Sequence, residues 1–341
     1  MKPQKPTSRK KWSRRDFLLF SLGAGAVAAG GGYALGHLLR REGHEDVFIA
    51  KAADYGVELT SLIKSGLKEL GLSATDIKGK RILLKPNNVE PRQGQVHICT
   101  HPLVVEAAAE AFRSLGAAKV IVAEGSGHCT DFYRTLDESG MASVLAEARL
   151  PFVDLNRDDI FQLPNQGQLT ELKTLCFPAT LKQVDWIVSM PKLKTHHWAG
   201  VTMSMKNLFG VMPGIVYGWP KNVLHHAGVI RSILDINATL KPHFAIVDGI
   251  VGMEGDGPIM GTPKAAGVLV MGRNLPAVDA TCARIMGVDP QKVQYLKAAS
   301  AWLGSIGKAY ITQRGEAISS VQTNFALIPA IPAHRRLLSK G

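Results

Sequence analysis

Cysteine is scarce. The 341 residues contain four (Cys99, Cys129, Cys176 and Cys282), and no two form a C-x-x-C pair. Four scattered thiols in a chain this long argue against a disulfide scaffold, and their spacing matches no zinc or iron–sulfur pattern. One disulfide stays open if the protein is exported. Aromatic residues are only 6% of the chain. No Lys/Arg stripe is interleaved with them, which argues against nucleic acid as a partner. Acidic residues are also short, with 28 Asp and Glu against 40 Lys and Arg and a net charge of +12. Nine of the bases and four of the acids fall in the first 46 residues, so the rest still carries about +7 by subtraction. That balance favours phosphates, carboxylates or a membrane surface. Internal repeats and long low-complexity linkers are absent. What is present, 46% apolar and 20% charged residues, suffices for one large or two ordinary domains.

The first segment reads as an address. A basic leader from Lys2 to Lys11 precedes Ser13-Arg14-Arg15-Asp16-Phe17-Leu18, and an Ala- and Gly-rich apolar run follows from Phe17 to Leu39. This is the pattern of a twin-arginine export signal, with the export machinery as partner and a periplasmic or other extracytoplasmic destination. An ordinary signal anchor is the competing reading. Ala26–Ala28 resembles a cleavage site, yet the run is long enough to span a bilayer and to keep the protein membrane-associated. Arg40 and Arg41 fit poorly with simple export of that flank. The expected organisation is residues 1–45 as signal or anchor, 46–310 as the body and 311–341 as a C-terminal extension.

In the body, apolar spacing suggests an amphipathic helix over 47–75 and a strand at Arg81–Lys85 opening into Pro86-Asn87-Asn88. Thr100 reads as an N-cap before a helix from Pro102 to Leu115. A strand then runs into a glycine-rich turn at Gly125–Gly127. A helix is expected over 131–148, a strand at 152–155, another in "TELKTLCFP", and a buried strand in "DWIVSMPKLK". Gly200 to about Val211 reads as a helix, and Val223–Leu240 as another. Strands Phe244–Val251 and Ala265–Met271 follow, then helices over 276–286 and 294–303. The tail from Ile311 is weakly patterned and reads as a solvated end. The alternation of strand and helix predicts an α/β fold with mostly parallel strands flanked by helices, as one body or two lobes.

In such sheets ligands bind beyond the carboxyl ends of the strands. Lys85 and Asn87 follow one strand; Glu124, Ser126 and His128 another; Lys192, Lys194, His196 and His197 a third; Asp248, Glu254 and Asp256 a fourth. Each has a plainer alternative. The glycines around Ser126 also suit a turn. His97, Cys99 and His101 alternate as soft metal ligands would, or simply begin a helix. Glu254-Gly255-Asp256-Gly257-Pro258 is either turn chemistry or a cation site. Asp279 suits a helix dipole. His226 suits a core histidine.

The segment Lys194–Gly210, "KTHHWAGVTMSMKNLFG", resists a purely structural reading. A helix from Gly200 would offer N–H groups to an anion. Lys206 inside it, with Asn207 beside it, would lose proton affinity through burial and nearby Lys192 or Lys194. His196 and His197 titrate near neutrality and ligate borderline metals.

"KPNN", "THPLVVEAA", "AEGSG", "PKLKTH", "MKNLFGVMPG", "EGDGP" and "AVDA" occur in that order across Lys85–Ala280. Together they resemble the family catalogued as domain of unknown function 362. Some of its members carry a ferredoxin-like module, whose cysteine spacing is not found here, so an iron–sulfur cluster is not supported. "HHWAGVTMSMKNLFGVMPGI" is also similar, more distantly, to a segment of the lactate racemase superfamily. That resemblance implies a nickel-pincer nucleotide carried by a lysine at the position of Lys206 and a proton-transferring histidine at His196. It also implies a nickel ligand near His225 or His226, and "GSGH" is similar to the segment of a second acid/base histidine, here His128. Ser204-Met205 replaces a glycine pair, the later histidine does not align cleanly, and Asn207 has no counterpart.

Two functions follow as expectations. The first is an enzyme acting on a small carboxylate or phosphorylated molecule, with His128 or His196 as acid/base and Lys206 as nucleophile, anchor or clamp. Lys85, Asn87, Glu124, Ser126, Lys192, Lys194, Asn207 and Glu254 would line its ligand or cofactor site. A divalent metal would sit on His196, His197, His225 and His226. The resemblance implies proton or hydride transfer at a hydroxy-acid carbon, an isomerase- or oxidoreductase-like reaction. The second is a non-catalytic extracytoplasmic binder of an anion, metal or cofactor.

Overall fold

The computed structural model describes residues 44–127 and 131–338. The export signal and His128 lie outside the described residues. Among the described residues no helix is long and apolar enough to cross a membrane.

Twelve strands are described: β1 (Glu45–Lys51), β2 (Arg81–Pro86), β3 (Lys119–Glu124), β4 (Phe152–Asp154), β5 (Ile160–Pro164), β6 (Thr174–Pro178), β7 (Trp186–Met190), β8 (Lys192–His196), β9 (Gly200–Thr202), β10 (Phe244–Glu254), β11 (Thr262–Gly272) and β12 (Ile311–Gly315). The main sheet runs β12-β1-β11-β10-β7-β2-β3-β4, with β8 and β9 branching from β10, and β5-β6 form a separate hairpin. The stretch β10-β7-β2-β3-β4 is parallel throughout. Its order is that of a doubly wound sheet: the chain first moves outward from β2 to β4, then returns to the other side of β2 with β7 and β10. The reversal lies between β2 and β7, where open α/β sheets leave a crevice.

The alternation along each strand builds two cores. Ile82, Leu84, Val120, Val122, Phe244 and Ile246 face helices Leu59–Glu69 and Pro102–Ser114. Leu83, Ile121, Ala123, Ala245 and Val247 face helices Val229–Leu240 and Leu275–Ile285. Period-two burial with apolar residues on both faces is what a sheet sandwiched between helical layers requires.

Several local expectations are corrected. Residues 45–51 are a strand, antiparallel to β11 and parallel to β12, and the expected 47–75 helix is α-helical over Leu59–Glu69, with a separate short helix starting at Ala74. The tail beyond Ile311 supplies β12, and its final described helix, Pro332–Leu338, buries Leu337 and His334. The expected 131–148 and 223–240 helices each break at a glycine of positive φ, Gly140 and Gly228. Lys241, likewise left-handed, ends helix Val229–Leu240.

Thr100 is not the cap expected. The ring of His101 accepts the Leu103 N–H and caps the Pro102–Ser114 helix instead. The Thr100 hydroxyl accepts the Asn87 N–H at 2.9 Å and donates to the Met190 carbonyl at 2.6 Å. It thereby ties the end of β2 to the end of β7 across the switch point.

Candidate functional site

A cavity of about 350 Å³ opens at that switch point. Four segments build it. Lys85 and Asn87 come from the end of β2, and Glu124, Gly125 and Gly127 from the end of β3. His196, His197 and Trp198 form the tip of the β8–β9 hairpin, and Lys206–Gly210 follow β9. Lys221 and His225 close one side.

The floor is an ion pair. Lys85 Nζ lies 2.7 Å from Glu124 Oε1, and both side chains are buried. The lysine also donates to the Pro86 carbonyl and to Asn207 Oδ1, and Glu124 accepts the N–H groups of Asn88 and Gly125. Asn207 spends its amide on the Lys85 carbonyl and the Ser189 hydroxyl. These three predicted ligand-binding residues therefore satisfy one another. Gly210 sits directly over the pair, where a Cβ would overlap Glu124 Oε1 and the Lys85 amine. The neighbouring "EGSG" turn lines the cavity through Gly125 and Gly127 but not through Ser126. Gly125 sits against the Gly210 carbonyl, and the Ser126 hydroxyl donates to the Asn88 carbonyl, away from the cavity.

Lys206 differs. It is half-buried in the cavity wall, its amine 4.0 Å from the centre of the Phe209 ring. It has no hydrogen-bond acceptor and no carboxylate partner among the described residues. Burial, then repulsion from Lys194 and Lys85, brings its pKa down to about 7. The amine is thus divided between its charged and neutral forms near neutrality.

The helix holding Lys206 is shorter than expected. Gly200–Thr202 is a strand, and the helix begins at Ser204 and becomes 3₁₀ after Asn207. Its first N–H groups face no ligand. Asp279, from helix Leu275–Ile285, accepts the N–H groups of Ser204 and Met205 and the hydroxyls of Ser204 and Tyr295. Asp279 thus caps a neighbouring helix rather than complementing its own dipole, the role expected for it; Asn274 caps its own helix. Burial pushes the Asp279 carboxyl up to about 6.

His196 has a fixed proton. Its Nδ1 accepts the N–H groups of Trp198 at 3.0 Å and Ala199 at 3.3 Å, closing the hairpin turn. An Nδ1 that accepts leaves the proton of the neutral ring on Nε2. Burial, then repulsion from Lys206, holds the ring pKa well below the usual histidine value. His196 is therefore a neutral hydrogen-bond donor. The same turn presents Trp198 half-exposed, its ring 4.7 Å from that of His197 and 5.0 Å from that of His225.

Several predicted residues lie elsewhere. Lys192 pairs with Asp248 at 2.6 Å and bonds Tyr55, fully buried. Lys194 donates to the Ile98 and Pro258 carbonyls; burial brings it to about 8. Neither lines the cavity; the lysines that do are Lys85, Lys206 and Lys221. Glu254 binds Lys264 and the Ala326 N–H, and Asp256 faces His197. His226 is exposed and outside the cavity, not in the core. His196, His197 and His225 line it. Among the described residues no three His, Cys, Asp or Glu side chains converge as a metal set.

Sequence reading missed Lys221, Trp198 and Thr202. Lys221 is buried in the wall in left-handed backbone, its amine on Asn156 Oδ1, and burial brings it to about 8. Its position after Trp219-Pro220 was the available signal. Thr202 Oγ1 and Asn87 Oδ1 are buried in the same wall with no hydrogen-bond partner among the described residues. Unsatisfied buried polar atoms are rare enough in native proteins to mark a ligand position.

Fold and cavity together define a doubly wound α/β protein with a lysine- and histidine-lined cavity at its switch point. Residues 82–284 match the family model described as "Domain of unknown function (DUF362)", and the chain belongs to that family. A curated relative is the thylakoid-associated protein sll1697 of Synechocystis sp., 26% identical over 246 residues, 70% of this chain and 74% of that protein. Among solved structures, the lactate racemase apoprotein from Thermoanaerobacterium thermosaccharolyticum shares 12% identity over 72% of this chain, with a TM-score of 0.43. A Thermotoga maritima protein shares 14% over 69%, with a TM-score of 0.39. The chain spans 58% and 60% of those two proteins' lengths.

Proposed function

We propose that the cavity binds a small anionic molecule and moves a proton on it, with Lys206 as the base and His196 as the hydrogen-bond donor. The carrying observation is the Lys206 amine, held among cations without an acceptor. Its charged form receives a carboxylate or phosphate, and its neutral form can take a proton from a carbon beside a carbonyl or carboxyl. The Nε2–H of His196 suits an oxygen on which negative charge develops. Its neutral, Nδ1-pinned ring makes it a poor base, so the acid/base role divides between the two residues. Lys221 adds a second cation, and the exported side of a membrane is the proposed site of action, from Arg14-Arg15 and the apolar run after them.

The nickel-pincer nucleotide implied by the lactate racemase resemblance needs an amine to carry it and an imidazole near its metal. An unpartnered Lys206 and three histidines in one cavity fit that demand, although among the described residues no three His, Cys, Asp or Glu side chains form a metal set by themselves. When bound, such a group supplies a hydride acceptor; Lys206 is then its anchor. Intact mass and elemental analysis of protein from its own host decide between a carried group and a bare amine.

The test of the anion site is calorimetric titration with acetate, lactate and phosphate. Wild type is expected to bind at least one of them at pH 6, and Lys206→Met to lose it. Equal binding by both proteins would contradict the proposal. Lys206→Arg separates turnover from capture: it keeps the charge and so keeps binding, but removes a base effective near neutrality.

A further inference from the structure

The cavity is far larger than a two- or three-carbon acid. At the liquid share of ~30 Å³ each, about a dozen waters would fill a volume of 350 Å³. Its walls are not uniformly polar. On one side lie Phe209, His225 and Trp198, the Phe209–His225 ring centres 5.6 Å apart and the Trp198–His225 centres 5.0 Å apart in an edge arrangement. Val89 and Pro220 also line the cavity, close about Gly127, where a Cβ would stand 3.5 Å from Val89 and 3.8 Å from Pro220. The Lys206 amine stands over Phe209, at the inner edge of this aromatic wall. Trp198 is held there by structure rather than by chance. The turn that carries it is closed by two N–H bonds to the His196 ring, yet 53% of its surface stays exposed. A large indole left uncovered in the lining of a cavity that also holds an unpartnered cation is more than a small hydrophilic ion requires.

Building on the anion site proposed above, we infer that the ligand class is an aromatic anion: a planar ring joined by a short link to a carboxylate or phosphonate. The ring lies against the Trp198, His225 and Phe209 rings, and the charged group reaches Lys206. Thr202 Oγ1 and Asn87 Oδ1 answer a hydroxyl or N–H on the link. Ring edges and faces suit the tilted arrangement already present among Trp198, His225 and Phe209, whereas a flexible alkyl chain gains only area.

The experiment measures dissociation constants of full-length protein for acetate, hexanoate and phenylacetate, with wild type, Trp198→Ala, Trp198→Phe and Lys206→Met. Wild type is expected to prefer phenylacetate over acetate by about tenfold or more, the scale of one well-placed aromatic contact. Trp198→Ala removes that preference and leaves acetate within about twofold; Trp198→Phe retains it. Hexanoate binding as tightly as phenylacetate overturns the aromatic claim, and so does equal binding of all three. If Trp198→Ala weakens acetate and phenylacetate alike, the ring slot is overturned while the anion site stands. If no probe binds, or Lys206→Met changes none, the anion site itself falls and the inference with it.

Discussion

Asp279 Oδ1 accepts the backbone N–H of Ser204 at 2.8 Å, joining two residues 75 positions apart. Its second oxygen takes the Met205 N–H at 3.1 Å. A four-residue helix has too few internal bonds to hold its own geometry. The carboxylate supplies what is missing, and the next residue is Lys206. Asp279→Ala strands these buried N–H groups and the Tyr295 hydroxyl, so it is expected to cost about 3 kcal/mol or more of unfolding free energy. Asp279→Asn keeps the volume and one acceptor and is expected to lose roughly half as much. Urea unfolding measures both. A loss of only a few tenths for Asp279→Ala would remove this residue from the support of the site.

The Lys85–Glu124 pair under Gly210 gives a second expectation. Lys85→Met leaves a buried, unpaired carboxylate and is expected to cost about 3–5 kcal/mol. The double variant Lys85→Met/Glu124→Leu removes both charges and is expected to recover a substantial part of that loss. Gly210→Ala forces a methyl against the pair and is expected to cost about 1–3 kcal/mol without changing any charge. A double variant as unstable as the single would mean that the pair's hydrogen bonds, rather than its charge balance, hold the floor.

The layers of this fold are readable from the sequence because burial on both faces leaves a direct trace: uninterrupted apolar strands such as β2, β3 and β10, separated by helical spacing. The same trace misleads at residues 45–51. Their apolar run fits a helix stripe as well as a strand, and only pairing with β11 and β12, more than 200 residues away, decides it. In the site, Lys206, His196, His197 and Asn87 were visible as polar residues after strands. Lys192 and Lys194 had the same signature and proved to be buried structure, because their partners, Asp248 and the carbonyls of Ile98 and Pro258, are distant in sequence. Lys221 was missed for the converse reason: its burial depends on Asn156, 65 residues away, and Trp219-Pro220 before it is only a weak local signal.

Stability should respond to pH through Lys206. Its amine has a pKa of about 7 when folded and about 10.4 when unfolded. Between those values the unfolded chain binds more protons than the folded one, so this residue makes stability rise with pH. Below pH 7 folded and unfolded forms are both mostly protonated, and the cost of a half-buried, unpartnered cation is present. Lys206→Met is therefore expected to raise Tm at pH 6, and the gain should shrink toward pH 10. Thermal unfolding of both proteins across that range checks the sign. A gain that grows with pH would mean that Lys206 is stabilised as a cation in the folded state.

The central claim is that Lys206 is an unpartnered amine titrating near neutrality in an anion pocket, and amine acylation tests it most directly. Full-length protein is treated with an acylating reagent from pH 5 to 10, and modification of Lys206 is read by peptide mass spectrometry. At pH 7 an ordinary lysine is neutral in only about one molecule in a few thousand, whereas Lys206 would be neutral in about half. The expected result is a midpoint near pH 7, with protection by whichever probe anion binds. A midpoint near pH 10, the same as the surface lysines and unaffected by anions, would contradict the account.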